Sequence, residues 1–178
     1  FGQNPSYMVI SCCDSRVHAT SIFGADAGEF FIHRNIANLV PPHSLNGDSH
    51  GTSAAIEYAV KELKIKHLIL LGHTDCGGIK SGHDLYSNKP NLDYEFINKW
   101  LSLLLPAFNK ITKDVSKAKQ IEQLEEESIK NSIINLFSFP YIKKAVEDKN
   151  LSIHGLIHDI GSGRLKFLNP ISEDFENL

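Results

Sequence analysis

The sequence predicts an α/β domain built on a mostly parallel sheet, with a helical second half and a C-terminal hairpin. Two observations carry this. Three strand-sized apolar runs, Tyr7 to Ser11, Glu29 to His33 and His67 to Leu71, alternate with crossover segments in the first half of the chain. That alternation marks parallel strands joined by crossovers. Polar, chemically rich segments directly follow the first and third runs, where open parallel sheets place their ligand sites.

Each element has its own justification. Tyr7 to Ser11 is strand-like by its length and its Val and Ile, and Glu29-Phe30-Phe31-Ile32-His33 reads as a second strand. Ile56, Ala59, Val60 and Leu63 recur at helical spacing, with Asp48 or Ser49 placed to cap. His67 to Leu71 is continuously apolar, as a strand buried on both faces should be. Tyr94 to Ile111 predicts a helix that Pro106 interrupts or kinks. Ser116 to Phe137 predicts a longer one, apolar at Ile129, Ile133, Ile134 and Leu136, with Glu122 and Glu125 to Glu127 read as a solvated face. Pro140 opens a short helix over Tyr141 to Asp148. The tail, Leu151 to Leu168, predicts two strands around Asp159-Ile160-Gly161-Ser162-Gly163, a hairpin signal. No repeat, low-complexity segment or linker is visible, so residues 1–178 read as one domain.

Composition excludes several classes. Lys plus Arg number 18 against 21 Asp plus Glu, a net charge of −3. That provides no basic footprint for nucleic acid and no polybasic membrane patch. The apolar runs fall far short of a transmembrane helix. Three cysteines, two of them adjacent, argue against a disulfide framework and for a reducing, cytoplasmic setting. A targeting signal in a segment preceding Phe1 stays open.

The chemistry lies in Cys12-Cys13-Asp14-Ser15-Arg16 and His73-Thr74-Asp75-Cys76-Gly77-Gly78. Taken alone, Cys12 reads as an inert core thiol, and a lone H-x-x-C is weak. Together they offer two thiolates and an imidazole, and three protein ligands leave tetrahedral zinc an open fourth position, as in catalytic sites. Side-chain alternation makes Cys12 the ligand and Cys13 a small buried hydrophobe. Arg16 can hold Asp14 off the metal through a bidentate pair, leaving Asp14 to orient whatever fills the open position. The bland alternative is a surface ion pair worth little. Gly77 and Gly78 allow close backbone approach to a small oxygenated substrate, or simply make the strand-to-helix turn.

Four blocks resemble the β-class carbonic anhydrases, plant-type subgroup. They are Cys12 to Val17, Phe31 to Val40 (FIHRNIANLV), Ala54 to Val60, and Gly72 to Gly78. The tail Ile153 to Ile160 is similar to that family's final strand. The resemblance implies reversible hydration of carbon dioxide to bicarbonate and a proton by zinc-bound hydroxide. It implies one zinc on Cys12, His73 and Cys76, with Asp14 and Arg16 as a catalytic dyad. Gln3, Phe31 and Tyr58 would line the carbon dioxide pocket, and the Gly77 N–H would meet bicarbonate oxygens. It also implies a homodimer or higher homo-oligomer with pockets at the subunit boundary. An N-terminal helical arm of the family is expected to lie outside these 178 residues. Cys13 and His18 depart from the usual pattern without touching the ligands. The plant-type features favour an open zinc over one ligated by Asp14.

Two other functions fit the motifs. One is a zinc hydrolase of the same fold acting on carbon disulfide or carbonyl sulfide. The other is a non-catalytic, zinc-stabilised module, which has no use for the Asp14–Arg16 pair. His18, His33, His43 and His50 lie near the motif segments, and sequence does not rank them as carriers of the released proton.

Overall fold

The computed structural model describes residues 2–46, 50–87, 89 and 93–178. Six strands form one sheet in the order β2-β1-β3-β4-β5-β6. They are β1 (Tyr7–Cys12), β2 (Phe30–Asn35), β3 (His67–His73), β4 (Ser152–His158), β5 (Leu165–Leu168) and β6 (Phe175–Asn177). The first four run parallel, and β5 and β6 add antiparallel to the β4 edge. The predicted mostly parallel sheet and the tail hairpin are both present. The hairpin turn closes with the Asp159 N–H donating to the Arg164 carbonyl at 2.8 Å.

Strand β1 is buried from Met8 to Cys12 and β3 from Leu68 to His73, which is why both read as unbroken apolar runs. One face of the sheet packs Met8, Ile10, Leu68, Leu70 and Ile157 against Ile129, Leu136 and Phe139. The opposite face packs Val9, Ile69, Leu71 and Leu156 against Val17 and against Ala19, the first residue of α1 (Ala19–Phe23). Helix α6 (Lys117–Phe137) lies close over β4 because Gly155 has no side chain. A Cβ there would meet Ile129 Cγ2 at 2.7 Å.

Several boundaries depart from expectation. Helix α2 (Gly51–Glu57) is continued by a wider turn over Tyr58–Glu62. Its expected caps, Asp48 and Ser49, lie outside the described residues, and His50 stands at the cap position. The single helix expected from Tyr94 to Ile111 is three pieces: α4 (Ile97–Leu101), a 3₁₀ turn (Ser102–Leu104) and α5 (Leu105–Phe108). Pro106 sits in the first turn of α5, where its missing N–H costs no helical bond. Helices α3 (Gly77–Tyr86) and α7 (Pro140–Glu147) complete the set.

The acidic run of α6 is not wholly a solvated face. Glu125 is buried among the residues that floor the site described next. Cys13 is likewise not buried: alternation turns it away from Cys12, but into open space rather than a second core.

Candidate metal centre

Two crossovers in opposite directions leave β1 and β3 side by side at the point where strand order reverses, a position that opens a crevice at their carboxyl ends. Cys12 ends β1 and His73 ends β3. Cys76 caps α3 three residues later. A third apolar cluster, with Ala37, Leu39, Ile79, Leu101, Leu104 and Leu124, surrounds both cysteines.

The ligand atoms of Cys12, His73 and Cys76 lie within 4.8 Å of one another, and all three residues are buried. The two sulfurs are 3.9 Å apart. Two thiolates on one tetrahedral zinc, with Zn–S bonds near 2.3 Å, stand about 3.8 Å apart. The His73 Nδ1 is 2.9 Å from the Thr74 carbonyl, so it carries the proton and donates it. Nε2 is then the lone-pair nitrogen, and it is buried without a hydrogen-bond partner. A buried orphan nitrogen facing two thiols is what a metal would satisfy, and this soft sulfur–nitrogen set suits zinc.

Electrostatics favour the thiolate form of one sulfur already. The Cys76 thiol hydrogen-bonds Cys12 and, with the adjacent His73 ring and the Asp14 and Ala37 N–H groups, pulls the Cys12 thiol down despite burial. Cys76 is pushed up by the same pairing and by burial, while the Ile79 and Gly78 N–H groups pull the other way. The Ala37 donor depends on an unusual loop. Ala37 and Asn38 have φ of 61° and 48°, a left-handed conformation that side chains avoid. The Asn35 side chain clamps that loop, accepting from the Leu39 N–H and donating to the Leu39 carbonyl, both at 2.9 Å.

Asp14 and Arg16 meet as expected. Arg16 Nε donates to Asp14 Oδ1 at 2.9 Å, Nη2 to Oδ2 at 2.8 Å, and its backbone N–H to Oδ1 at 3.0 Å. The Arg16 guanidinium holds the Asp14 carboxyl well below the usual carboxylate range. Asp14 Oδ2 stands 3.9 Å from His73 Nε2. Arg16 also reaches the Asp75 carboxylate at 3.2 Å, and Lys80 pairs with the same carboxylate. Arg34 donates to the carbonyls of Cys12 (3.0 Å) and Asp14 (2.8 Å), fixing the backbone of the first motif.

Gly77 opens α3 with nothing within 4 Å of where a Cβ would stand. The remaining candidates stand elsewhere. Gln3 is exposed ahead of β1. Phe31 pairs with Met8, four residues short of the Asn35 that faces Cys12. That is about 13 Å along the strand. Tyr58, 47% exposed, packs beside Phe31 with ring centroids 5.8 Å apart. A single chain therefore does not bring Gln3, Phe31 and Tyr58 to the cysteines. Cys13 instead lines a cavity of about 550 Å³ with His33, Asn35, Ile36, Thr52 and Trp100.

Sequence reasoning missed Glu125, whose Oε1 accepts the Cys76 N–H at 3.2 Å. Burial raises its carboxyl to about 7. Its one signal was position: it follows Leu124 on the apolar stripe of α6.

Comparison with known proteins agrees with this geometry. The carbonic anhydrase family model matches residues 7–165. Beta carbonic anhydrase 3 of Arabidopsis thaliana is 37% identical over 164 residues, 90% of this chain. The chain spans 63% of that relative's length. The β-carbonic anhydrase CcaA superposes with a TM-score of 0.87 at 29% identity, covering 99% of this chain and 85% of that one. A tetrameric β-carbonic anhydrase of Sordaria macrospora gives 0.79 at 34% identity, over 94% and 82%. A Coccomyxa β-carbonic anhydrase in complex with acetazolamide gives 0.80 at 30%, over 93% and 72%. Fold, signature segments and buried Cys-His-Cys group together place the chain in the carbonic anhydrase family, in its β class.

Proposed function

We propose that this chain catalyses the reversible hydration of carbon dioxide to bicarbonate and a proton, with one zinc ion held by Cys12, His73 and Cys76. The observation that carries the reading is the unpartnered His73 Nε2, buried against two thiols, with an Arg-bound carboxylate 3.9 Å away. Zinc at such a site supplies the Lewis acidity that makes water a nucleophile near neutral pH.

The chain's own groups do the rest. Two thiolates cancel the formal charge of a divalent ion, so any further negative charge beside it must be compensated. Arg16 provides that compensation and keeps both Asp14 oxygens engaged, so Asp14 stays off the metal. One Asp14 lone pair remains to accept a hydrogen bond from the nucleophile and fix its orientation. The Gly77 N–H, at an unobstructed helix start, meets a bicarbonate oxygen.

Gln3, Phe31 and Tyr58 act from a second copy of the chain. Half-exposed Tyr58 packs on partly buried Phe31 in an aromatic pair remote from their own cysteines, as a pocket wall lent to a partner would be. The functional unit is thus a homodimer or a larger homo-oligomer. No helix among the described residues is long and apolar enough to cross a membrane. The three free cysteines fit a cytoplasmic location.

Stopped-flow hydration of carbon dioxide by zinc-replete protein tests the reading, with Asp14→Ala alongside. Turnover that rises with pH and collapses in the variant is expected. Absence of turnover in folded, zinc-loaded protein, or faster turnover of carbon disulfide, would overturn it.

A further inference from the structure

Glu125 has no part in the chemistry above, yet it is the only Asp, Glu, Lys or Arg in the buried core among the described residues, at 6% exposure. Its neighbours in the acidic run behave ordinarily. Glu126 reaches Lys166 at 3.6 Å, and Glu127 pairs with Lys130 at 2.9 Å. Burying a carboxyl group is unfavourable unless it is hydrogen-bonded. The partner here is the Cys76 N–H, 3.2 Å from Oε1.

The turn it holds is short and kinked. At one end Thr74 is tied to β4, its N–H donating to the His158 carbonyl at 3.0 Å and its Oγ1 accepting from the Ile160 N–H at 3.1 Å. In the middle, Asp75 takes a left-handed φ of 61°. At the other end the Cys76 amide is anchored by α6. Two residues separate the candidate ligands His73 and Cys76, so a small rotation at Asp75 moves the Cys76 sulfur directly.

We propose that Glu125 is a positioning residue of the metal centre, holding the Cys76 amide so that the Cys76 sulfur converges with His73 Nε2 and Cys12 Sγ. This rests on the zinc-site reading above. Groups that orient metal ligands from behind typically change metal affinity 10–100-fold when lost.

The test compares Glu125→Ala, Glu125→Gln and the control Glu126→Gln. Zinc affinity is read by competition with a chromophoric chelator, and ligand geometry by the visible and thiolate-to-metal absorption of the cobalt(II) form. Glu125→Ala should bind zinc about 10–100-fold more weakly and alter the cobalt spectrum. Glu125→Gln keeps an acceptor oxygen at the same reach and should stay within about fivefold of the parent. Glu126→Gln should be unchanged. A folded Glu125→Ala with parental affinity and spectrum overturns the proposal, whatever its thermal midpoint; so does a Gln variant as weak as Ala. If the Ala variant does not fold, Glu125→Asp replaces it, keeping the charge but falling one methylene short. The Asp-against-Gln order then decides. Parent protein that binds zinc but does not hydrate carbon dioxide overturns the activity reading alone. Parent protein that binds no zinc overturns both.

Discussion

Gly77 and Gly78 are adjacent, and the structure assigns them opposite tolerances. A Cβ on Gly78 would stand 2.8 Å from Ile36 Cγ2 and 2.9 Å from Ala37 Cβ. Neither is the end of a flexible side chain, so the 36–38 loop must retreat by roughly half an ångström or more to reach ordinary contact near 3.5 Å. Overpacking of this kind costs about 1–3 kcal/mol. Alanine in a helix returns at most about 1 kcal/mol relative to glycine. Gly78→Ala should therefore lower the unfolding free energy of zinc-free protein by about 0–2 kcal/mol.

The larger effect should fall on the metal. Ala37 is already left-handed, and its N–H helps hold Cys12 as a thiolate. Moving the loop withdraws that donor, and hydrogen bonds to charged groups contribute about 1.5–3 kcal/mol. That corresponds to about a 10–100-fold loss of zinc affinity, at 1.4 kcal/mol per tenfold. Urea unfolding of the zinc-free proteins and chelator competition measure the two quantities separately, with Gly77→Ala as control. Gly77 has no obstacle and no positive φ, so its alanine variant should be neutral or slightly more stable. Gly78→Ala with parental zinc affinity, or Gly77→Ala equally impaired in it, would refute the reasoning.

Three further outcomes are expected. Arg16 holds the Asp14 carboxyl below its ordinary value, so the pair stabilises the fold above about pH 4, and that contribution is lost as pH falls further. Urea midpoints of the parent and Asp14→Asn should hence differ most above pH 4 and converge in acid; a constant offset would contradict this. Arg16→Lys replaces a fork by a point charge, so it should bind zinc like the parent but lose at least about tenfold in hydration rate, read by stopped flow. Finally, Cys76→Ser and Tyr58→Ala chains, each impaired alone, should regain part of the activity when refolded together if Tyr58 serves a partner's site. Mixtures that merely average the two would count against a shared pocket.

The sheet was legible because its strands are buried on both faces, leaving uninterrupted apolar runs at Met8 to Ile10 and Leu68 to Leu71. The candidate metal donors were legible because thiols and imidazole at strand ends have few other uses. What stayed hidden depends on three-dimensional closure. Glu125 looks like its neighbours Glu126 and Glu127, and only the rotation of α6 against the His73–Cys76 turn distinguishes it. Arg34 lies 22 residues from Cys12 in sequence and acts on carbonyl groups, which carry no sequence signal. Cys13 was assigned to the right side of the strand and the wrong environment, since alternation gives direction and not what lies there. β6 is three residues long, too short for periodicity.

The arrangement of charge around the cysteines has a chemical consequence. The two sulfurs are addressed by backbone N–H groups, which stabilise anions without adding a net charge. Asp14 faces Arg16, Asp75 faces Arg16 and Lys80, and the Arg34 guanidinium on the Cys12 and Asp14 carbonyls is set against the Glu125 carboxyl behind Cys76. A divalent ion bound to two thiolates and a neutral imidazole adds nothing to that balance. A surplus of positive charge would retain bicarbonate as product, and a surplus of negative charge would repel it as substrate in the reverse direction. A centre near neutrality does neither, which suits the proposed exchange of a neutral gas for an anion in both directions.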